Sequence, residues 1–209
     1  MISEAVNQTV GYKRKFTLLE LYRALTDVPR AATTLIRNNK NPVVDKRFLK
    51  RLVLAVTEVN GCAICSYQHT KMALRQGMSN EEISSFLSGE DTFIIPEEAK
   101  AIMFAQHFAE SRGTPKQYAY EAIVKEYGAA RTAVILSALQ VILAGNIYGI
   151  AYSAFQSRRQ GKAYEGSSLS YELSMLLGGV ACMPVALTHG VIKGLVTPTA
   201  IRLDNRSIP

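Results

Sequence analysis

Hydrophobic residues recur at helical spacing along most of the chain, and no stretch of useful length alternates between apolar and polar residues as a strand does. Gly, Pro and capping residues punctuate this pattern. The Ser79 to Glu82 spacing, for example, predicts a capping box. The pattern therefore predicts an all-α protein. The predicted helices are 16–38 (broken near Asp27-Val28-Pro29), 45–59, 62–76, one opened by Ser79, 96–111, 116–126, 130–158 and a C-terminal segment interrupted by Gly178-Gly179 and Pro184.

The chain has 209 residues, of which 48% are apolar, which is enough for one substantial core. We interpret 1–209 as a single helical domain. It comprises N-terminal helices over 16–38 and a C-terminal apolar helical segment over 169–200.

Two long stretches, 132–157 and 173–192, contain no Asp, Glu, Lys or Arg and are long enough to cross a bilayer. Their interior polar residues, such as Gln140 and Asn146, and their small residues fit helices buried between other helices at least as well. Their uncharged surface exceeds what one small subunit usually buries. We therefore expect an obligate homo-oligomer and no membrane span.

Positive charge is concentrated at one end of the chain. The net charge is +7, and residues 1–71 hold 12 basic but only 5 acidic side chains. The basic clusters are short and lack interleaved aromatic residues, so we expect no nucleic-acid binding. Lys46, Arg47, Lys50 and Arg51 lie on the helix that leads to two cysteines. There they would favour a thiolate or dock an acidic electron donor.

The three cysteines favour a reducing compartment. Their number is odd, and two form Cys62-Ala63-Ile64-Cys65 rather than a spaced disulfide framework. The first residues lack a basic region followed by an apolar stretch, so we expect no secretory signal and a cytoplasmic location.

The most specific motif is Glu58-x-x-x-Cys62-x-x-Cys65-x-x-x-His69. On a continuous helix all four side chains would share one stripe. If Asn60-Gly61 breaks the helix, Glu58 ends one helix and the other three open the next. In either case Cys65 and His69 are i,i+4 neighbours within hydrogen-bond reach.

This motif suits thiol chemistry. A helix N-terminus, a neighbouring His and local positive charge all favour the reactive thiolate. A second thiol three residues away can form a disulfide once the first is oxidised to sulfenic acid, which prevents over-oxidation. The His can accept the thiol proton and return it to a leaving alcohol or water.

Two other interpretations of the motif remain open. A structural zinc site would need a fourth ligand, which Glu58, His107 or Cys182 could provide. A purely structural pair of buried cysteines is the other. Outside the motif, we expect His107 to be a packed or rim histidine. We place Cys182 in the core and His189 at a helix cap.

The apolar helix leading into Asn60-Gly61-Cys62-Ala63-Ile64-Cys65, followed by His69 and the Ser79 to Ile83 segment, resembles the carboxymuconolactone decarboxylase / alkylhydroperoxidase D superfamily. The resemblance extends over about 45–160. It implies an all-helical subunit that assembles into trimers or hexamers, and it implies a peroxidase or a disulfide partner of a peroxiredoxin. The decarboxylase branch lacks the thiol pair, so lactone decarboxylation is not expected.

Carried over, the resemblance makes Cys65 the peroxide-attacking thiol, Cys62 the more exposed resolving thiol and His69 part of the proton relay. Two positions depart from the family pattern. The usual relay glutamate falls at Lys50, and the His sometimes found between the cysteines is Ile64. Glu58 is the candidate replacement for the missing carboxylate.

We therefore expect a thiol-dependent peroxidase of the alkylhydroperoxidase type, with peroxiredoxin-type activity and no metal or organic cofactor. Its substrate would be a hydroperoxide, and an unidentified dithiol or protein reductant would reset the cysteine pair. The alternative is a non-catalytic helical oligomer with a structural zinc or ligand-binding role.

Overall fold

The computed structural model describes residues 11–196 and 201–205. This part of the chain contains seven α-helices and no strand longer than an isolated bridge, which confirms the predicted all-α fold. The start of the chain and 197–200, the end of the predicted C-terminal segment, lie outside the described residues. The helices are α1 (Leu18–Lys40), α2 (Lys46–Asn60), α3 (Ala63–Arg75), α4 (Asn80–Ser88), α5 (Pro96–Glu110), α6 (Gln117–Arg159) and α7 (Leu169–Val196).

Helix α6 is the centre of the molecule. It packs against α1, α2, α3, α5 and α7, and its middle is lined with buried apolar side chains. Gly128, with φ 73° and ψ 164°, breaks the helical geometry and divides α6 into the two helices that the sequence predicts. The uncharged stretch 132–157 is therefore mostly core, which corrects the expectation that it exceeds what one subunit buries.

Helices α1 and α7 continue through residues that predict breaks. Helix α1 runs through Pro29 without interruption, although proline lacks the N–H of a helical hydrogen bond. It is held between α6 and α7, and Asp27 beside Pro29 pairs with Lys193 (3.0 Å) and Arg202 (2.8 Å). Tertiary packing thus outweighs the local signal, and the expected break near Asp27-Val28-Pro29 is wrong.

The glycines of α7 are packing positions rather than breaks. A Cβ on Gly179 would lie 2.9 Å from the Tyr148 ring, and one on Gly190 would lie 2.3 Å from the carbonyl oxygen of Thr26. Only glycine permits such a close approach to α1 and α6. The expected interruption at Gly178-Gly179 and Pro184 is therefore wrong, since α7 is one helix.

Salt bridges tie α2 to α4 and α5. Arg51 bonds Glu82 (2.8 Å) and Glu98 (2.8 Å), and Arg47 bonds Glu82 (2.5 Å). The N–H of Glu82 donates to Ser79 as predicted (3.1 Å), but its carboxylate binds these arginines. The capping box is therefore only half formed. Two of the four basic residues expected to act on the cysteines are neutralised here.

Candidate redox site

The turn between α2 and α3 positions the cysteines. Gly61 ends α2 in the left-handed conformation (φ 70°), and its N–H bonds the carbonyl of Thr57 at 2.9 Å. Cys62 is then the N-cap of α3, and its Sγ accepts the N–H of Cys65 at 3.3 Å. Of the two open geometries, the structure has the broken helix, with Glu58 in the last turn before the break.

Cys62 and Cys65 form a disulfide with an S–S distance of 2.05 Å. Helix α6 holds this pair from the other side. The N–H of Ile64 donates to Ser153 Oγ (3.2 Å), and the Cys65 sulfur lies 3.8 Å from the carbonyl oxygen of Gly145. A Cβ on Gly149 would lie 2.8 Å from both sulfurs, so this glycine makes room for the disulfide.

The exposure of the two cysteines is opposite to the expectation. Cys62 is 0% exposed, whereas Cys65 is 9% exposed and lines a cavity of about 520 Å³. Cys62 is buried because its N-cap position faces the core and α6. The expectation that Cys62 is the more exposed thiol is therefore wrong. An incoming molecule reaches Cys65 first.

We call this space the disulfide cavity. Its wall is mainly apolar and comes from α1, α6 and α7 as well as α3. Its polar members are Cys65, Gln68 and His69, and its apolar members include Leu21, Leu25, Val141, Tyr148 and Met183.

His69 lies on the same cavity wall as Cys65, one turn along α3. Its Nδ1 lies 3.4 Å from the Lys50 ammonium nitrogen on α2. Burial, together with the Lys50 charge, lowers the pKa of His69 from 6.5 to about 4. His69 is therefore neutral at pH 7. With Lys50 protonated, Nδ1 accepts its hydrogen bond, so the imidazole proton lies on Nε2.

Lys50 is 7% exposed, and burial lowers the pKa of its ammonium group. Its position, twelve residues before Cys62, does place it beside the candidate relay histidine. A cation thus occupies the place that the resemblance assigns to a carboxylate. Sequence spacing indicated this position, but the contact with His69 depends on how α2 packs against α3.

Glu58 is not part of this cluster. Its carboxylate forms an ion pair with Lys13, and Lys13 also donates to the Glu58 carbonyl oxygen at 3.0 Å. The break at Gly61 separates Glu58 from the stripe that a continuous helix would have formed. The structure therefore brings together Cys62, Cys65 and His69 but not Glu58.

The remaining singled-out residues lie elsewhere. His107 Nε2 accepts the backbone N–H of Lys116 (3.1 Å), and half-buried Cys182 lies on α7 beside the Gly179 carbonyl. His189 is exposed in the middle of α7 and contacts Tyr22, so its expected capping role is wrong. Within 11–196 and 201–205, no three His, Cys, Asp or Glu side chains converge to hold a metal ion, so the zinc alternative has no ligand set there.

Comparison with known proteins agrees with the resemblance. Residues 20–106 match the model of the Carboxymuconolactone decarboxylase family, which confirms the expected superfamily. The match begins in α1 and ends in α5. It contains both cysteines, Lys50 and His69 but not α6 or α7. No curated protein and no solved structure matches the chain.

Proposed function

Since residues 20–106 match the model of the Carboxymuconolactone decarboxylase family, we propose that the protein is a cytoplasmic thiol-dependent peroxidase that cycles between a dithiol and the Cys62–Cys65 disulfide. One observation carries this proposal. Cys65, bonded to Cys62, lies on the wall of an apolar cavity that is also lined by His69, which is neutral at pH 7. A purely structural pair would not need a cavity at the sulfur.

In the reduced protein, the Cys65 thiolate attacks the outer oxygen of a hydroperoxide. The O–O bond breaks, Cys65 becomes a sulfenic acid, and the alkoxide leaves. His69 lines this cavity, and its Nε2–H suits donation of a proton to the leaving oxygen, which gives an alcohol. In the same step Nδ1 takes a proton from the Lys50 ammonium group, so the imidazole stays neutral and Lys50 recovers its proton from solvent. The positive charge of Lys50 favours the thiolate form of Cys65.

Cys62 completes the cycle. Its sulfur attacks the Cys65 sulfenic acid, the S–O bond breaks, and hydroxide leaves with the Cys62 proton as water. As the N-cap of α3, Cys62 is held where the helix dipole stabilises its thiolate. An external dithiol then reduces the disulfide and is itself oxidised. It reaches Cys65 first, because Cys62 is buried.

Counting thiols after a single exposure to peroxide tests this cycle. The reduced protein, freed of reductant, is mixed with one equivalent of cumene hydroperoxide. We expect loss of two of three thiols and formation of one equivalent of alcohol. Cys62→Ser should accumulate a sulfenic acid at Cys65 that dimedone traps, and Cys65→Ser should be inert.

Cys182→Ser is the matched control, because Cys182 lies on α7 and is not among the residues that line the disulfide cavity. This variant should lose two thiols as before. Persistence of all thiols in the wild type, or loss of reactivity in Cys182→Ser alone, would refute the proposal.

A further inference from the structure

A second cavity, of about 570 Å³, adjoins the first and contains two lysines. We call it the lysine cavity. It lies between α1, α2 and α6, and its walls include Leu35, Leu49 and Val53. Lys46 and Lys50 belong to its lining, and no Asp or Glu does.

Lys50 is a buried cation without a counter-ion. Its ammonium group contacts only the His69 ring and, at 4.0 Å, the Met72 sulfur among the described residues. A buried charge is costly unless it is paired, and the partly buried Arg51 of the same helix is paired with Glu82 and Glu98. An anion bound beside Lys50 would therefore offset the cost of burying its charge.

Lys46 adds to the positive charge of the cavity. It lies one turn before Lys50 on the same face of α2 and has no carboxylate partner among the described residues. His69 is neutral and contributes no charge that opposes or duplicates the lysines. An anionic group in this cavity would therefore meet two ammonium groups and no acidic side chain.

The lysine cavity and the disulfide cavity share His69, Val141, Ile142 and Gly145. A ligand can thus extend from the lysines past His69 to Cys65. Beyond His69 the wall is apolar, with Leu21, Leu25 and Tyr148. The two joined spaces match a molecule with an anionic end and an apolar body.

We infer that the joined cavities bind an amphipathic carboxylic acid, with its carboxylate on Lys50 and Lys46 and its hydrocarbon chain along the disulfide cavity. Resting on the proposed function, this makes the preferred substrate a hydroperoxide of such an acid. The Cys65 thiolate takes the outer oxygen, the O–O bond breaks, and the hydroxy acid leaves after protonation. The bound carboxylate also supplies the missing counter-ion of Lys50.

Binding is tested apart from redox chemistry, with the Cys62→Ser/Cys65→Ser protein and a fluorescent fatty acid, 11-(dansylamino)undecanoic acid. Dodecanoate should displace this probe. Methyl dodecanoate, which lacks the negative charge, should bind about tenfold or more less tightly. This comparison needs no substitution at a lysine. Equal displacement by the acid and the ester would overturn the inference.

Lysine variants locate the carboxylate. Lys50→Met removes the positive charge and keeps a side chain of similar length. It should weaken the binding of dodecanoate by about tenfold and abolish the preference for dodecanoate over its methyl ester. Lys46→Met should weaken it by a smaller factor. The control is Lys71→Met, since Lys71 is exposed on α3 and stacks on Tyr67. Unchanged acid preference in both cavity variants would refute the assignment.

The same measurements separate this inference from the proposed function. If the protein binds the acid preferentially but its thiols do not react with peroxide, the carboxylate site is supported and the peroxidase function is refuted. Thiol oxidation by peroxide without any preference for acids would do the opposite.

Discussion

Among single residues, Lys50 does most to determine the chemistry of the site. A carboxylate beside His69 would raise the basicity of the imidazole, whereas the Lys50 ammonium group lowers it. Burial of the ring, and secondly the Lys50 charge, lower the pKa of His69 to about 4. In the proposed cycle the histidine is therefore a neutral hydrogen-bond donor through Nε2, whereas the sequence predicts a residue that accepts the thiol proton.

This depressed pKa predicts a pH-dependent stability. The unfolded chain binds a proton at His69 near pH 6.5, and the folded protein binds it only near pH 4. Between these values the unfolded state holds more protons, so the free energy of unfolding rises with pH by on the order of 3 kcal/mol. Urea unfolding from pH 4 to 7 should show a flatter dependence for His69→Gln. The exposed His189→Gln is the control and should follow the wild type; if His69→Gln does so too, the depressed pKa is wrong.

Gly149 gives a second prediction for a single residue. In Gly149→Ala the new Cβ would lie 2.8 Å from both cysteine sulfurs. We expect a loss of about 1–3 kcal/mol in the free energy of unfolding, because overpacking forces neighbours to shift. The loss should be greater in the oxidised protein, where the sulfurs cannot rotate away.

Gly145→Ala is the matched control, since it lies one turn earlier on α6 and its Cβ would meet nothing within 4 Å. That substitution should stabilise the helix by about 0.5–1 kcal/mol. Urea titration of the wild type and the two variants, each in its oxidised and its reduced form, measures both effects. Equal stability of the two variants would show that α6 does not confine the disulfide.

Sequence alone predicts which residue types meet at the site but not how they are arranged. The Cys62–Cys65 spacing, the turn at Gly61 and the position of His69 are local and follow from helical geometry. The burial of Cys62 and the pairing of Glu58 with Lys13 depend on contacts between residues distant in sequence. These contacts leave no periodic signal, so sequence reasoning misplaced both side chains.

Among the helices, α2 has two functional faces. One carries Lys46 and Lys50 into the lysine cavity. The other carries Arg51 to Glu82 on α4 and Glu98 on α5. A cluster of basic residues on a helix therefore does not by itself indicate an effect on the thiol pKa. Here two of the four, Arg47 and Arg51, form salt bridges that join α2 to its neighbours.

Arg51→Leu should accordingly change stability rather than thiol reactivity. Removing the arginine leaves two largely buried carboxylates without their main partner, which costs about 3–5 kcal/mol. Thermal unfolding measures this loss. Lys100→Leu, which breaks the exposed pair with Glu126, should cost less than about 1 kcal/mol. Similar losses in the two variants would contradict the structural role of Arg51.

The same helices show where local signals mislead. Pro29 in α1 and Pro184 in α7 were expected to interrupt helices, yet both helices are continuous. Each lies against long neighbouring helices, and these contacts compensate for one lost hydrogen bond. Gly128, which has no such constraint against a partner, does interrupt α6 as predicted.

In the whole molecule, the two long apolar helices differ sharply. Both α6 and α7 are long and apolar enough to cross a membrane by length and composition, but 78% of the apolar window of α6 is buried against 22% for α7. The exposed apolar residues of α7 include Leu177, Val180, Val185, Ile192 and Leu195. This face needs a cover, and a second copy of the chain can supply an equally uncharged surface.

We therefore predict a homo-oligomer that forms without detergent. Light scattering on the purified protein should give a mass of two or more subunits. Leu177→Lys/Val185→Lys, which places charges on the exposed face, should shift that mass towards one subunit. Met103→Lys is the control, because Met103 is equally exposed but lies on α5. Extraction of the wild type only with detergent would instead favour a membrane-associated α7.

The wall of the disulfide cavity also bears on how this protein can diversify. The thiols, His69 and Lys50 lie on α2 and α3, whereas Val141, Tyr148 and Met183 come from α6 and α7. The proposed reacting groups and most of the wall that would contact the apolar part of a ligand thus lie on separate stretches of one chain. Substitutions confined to these α6 and α7 positions, in evolution or in a directed library, can therefore change which ligands fit without replacing any proposed reacting residue.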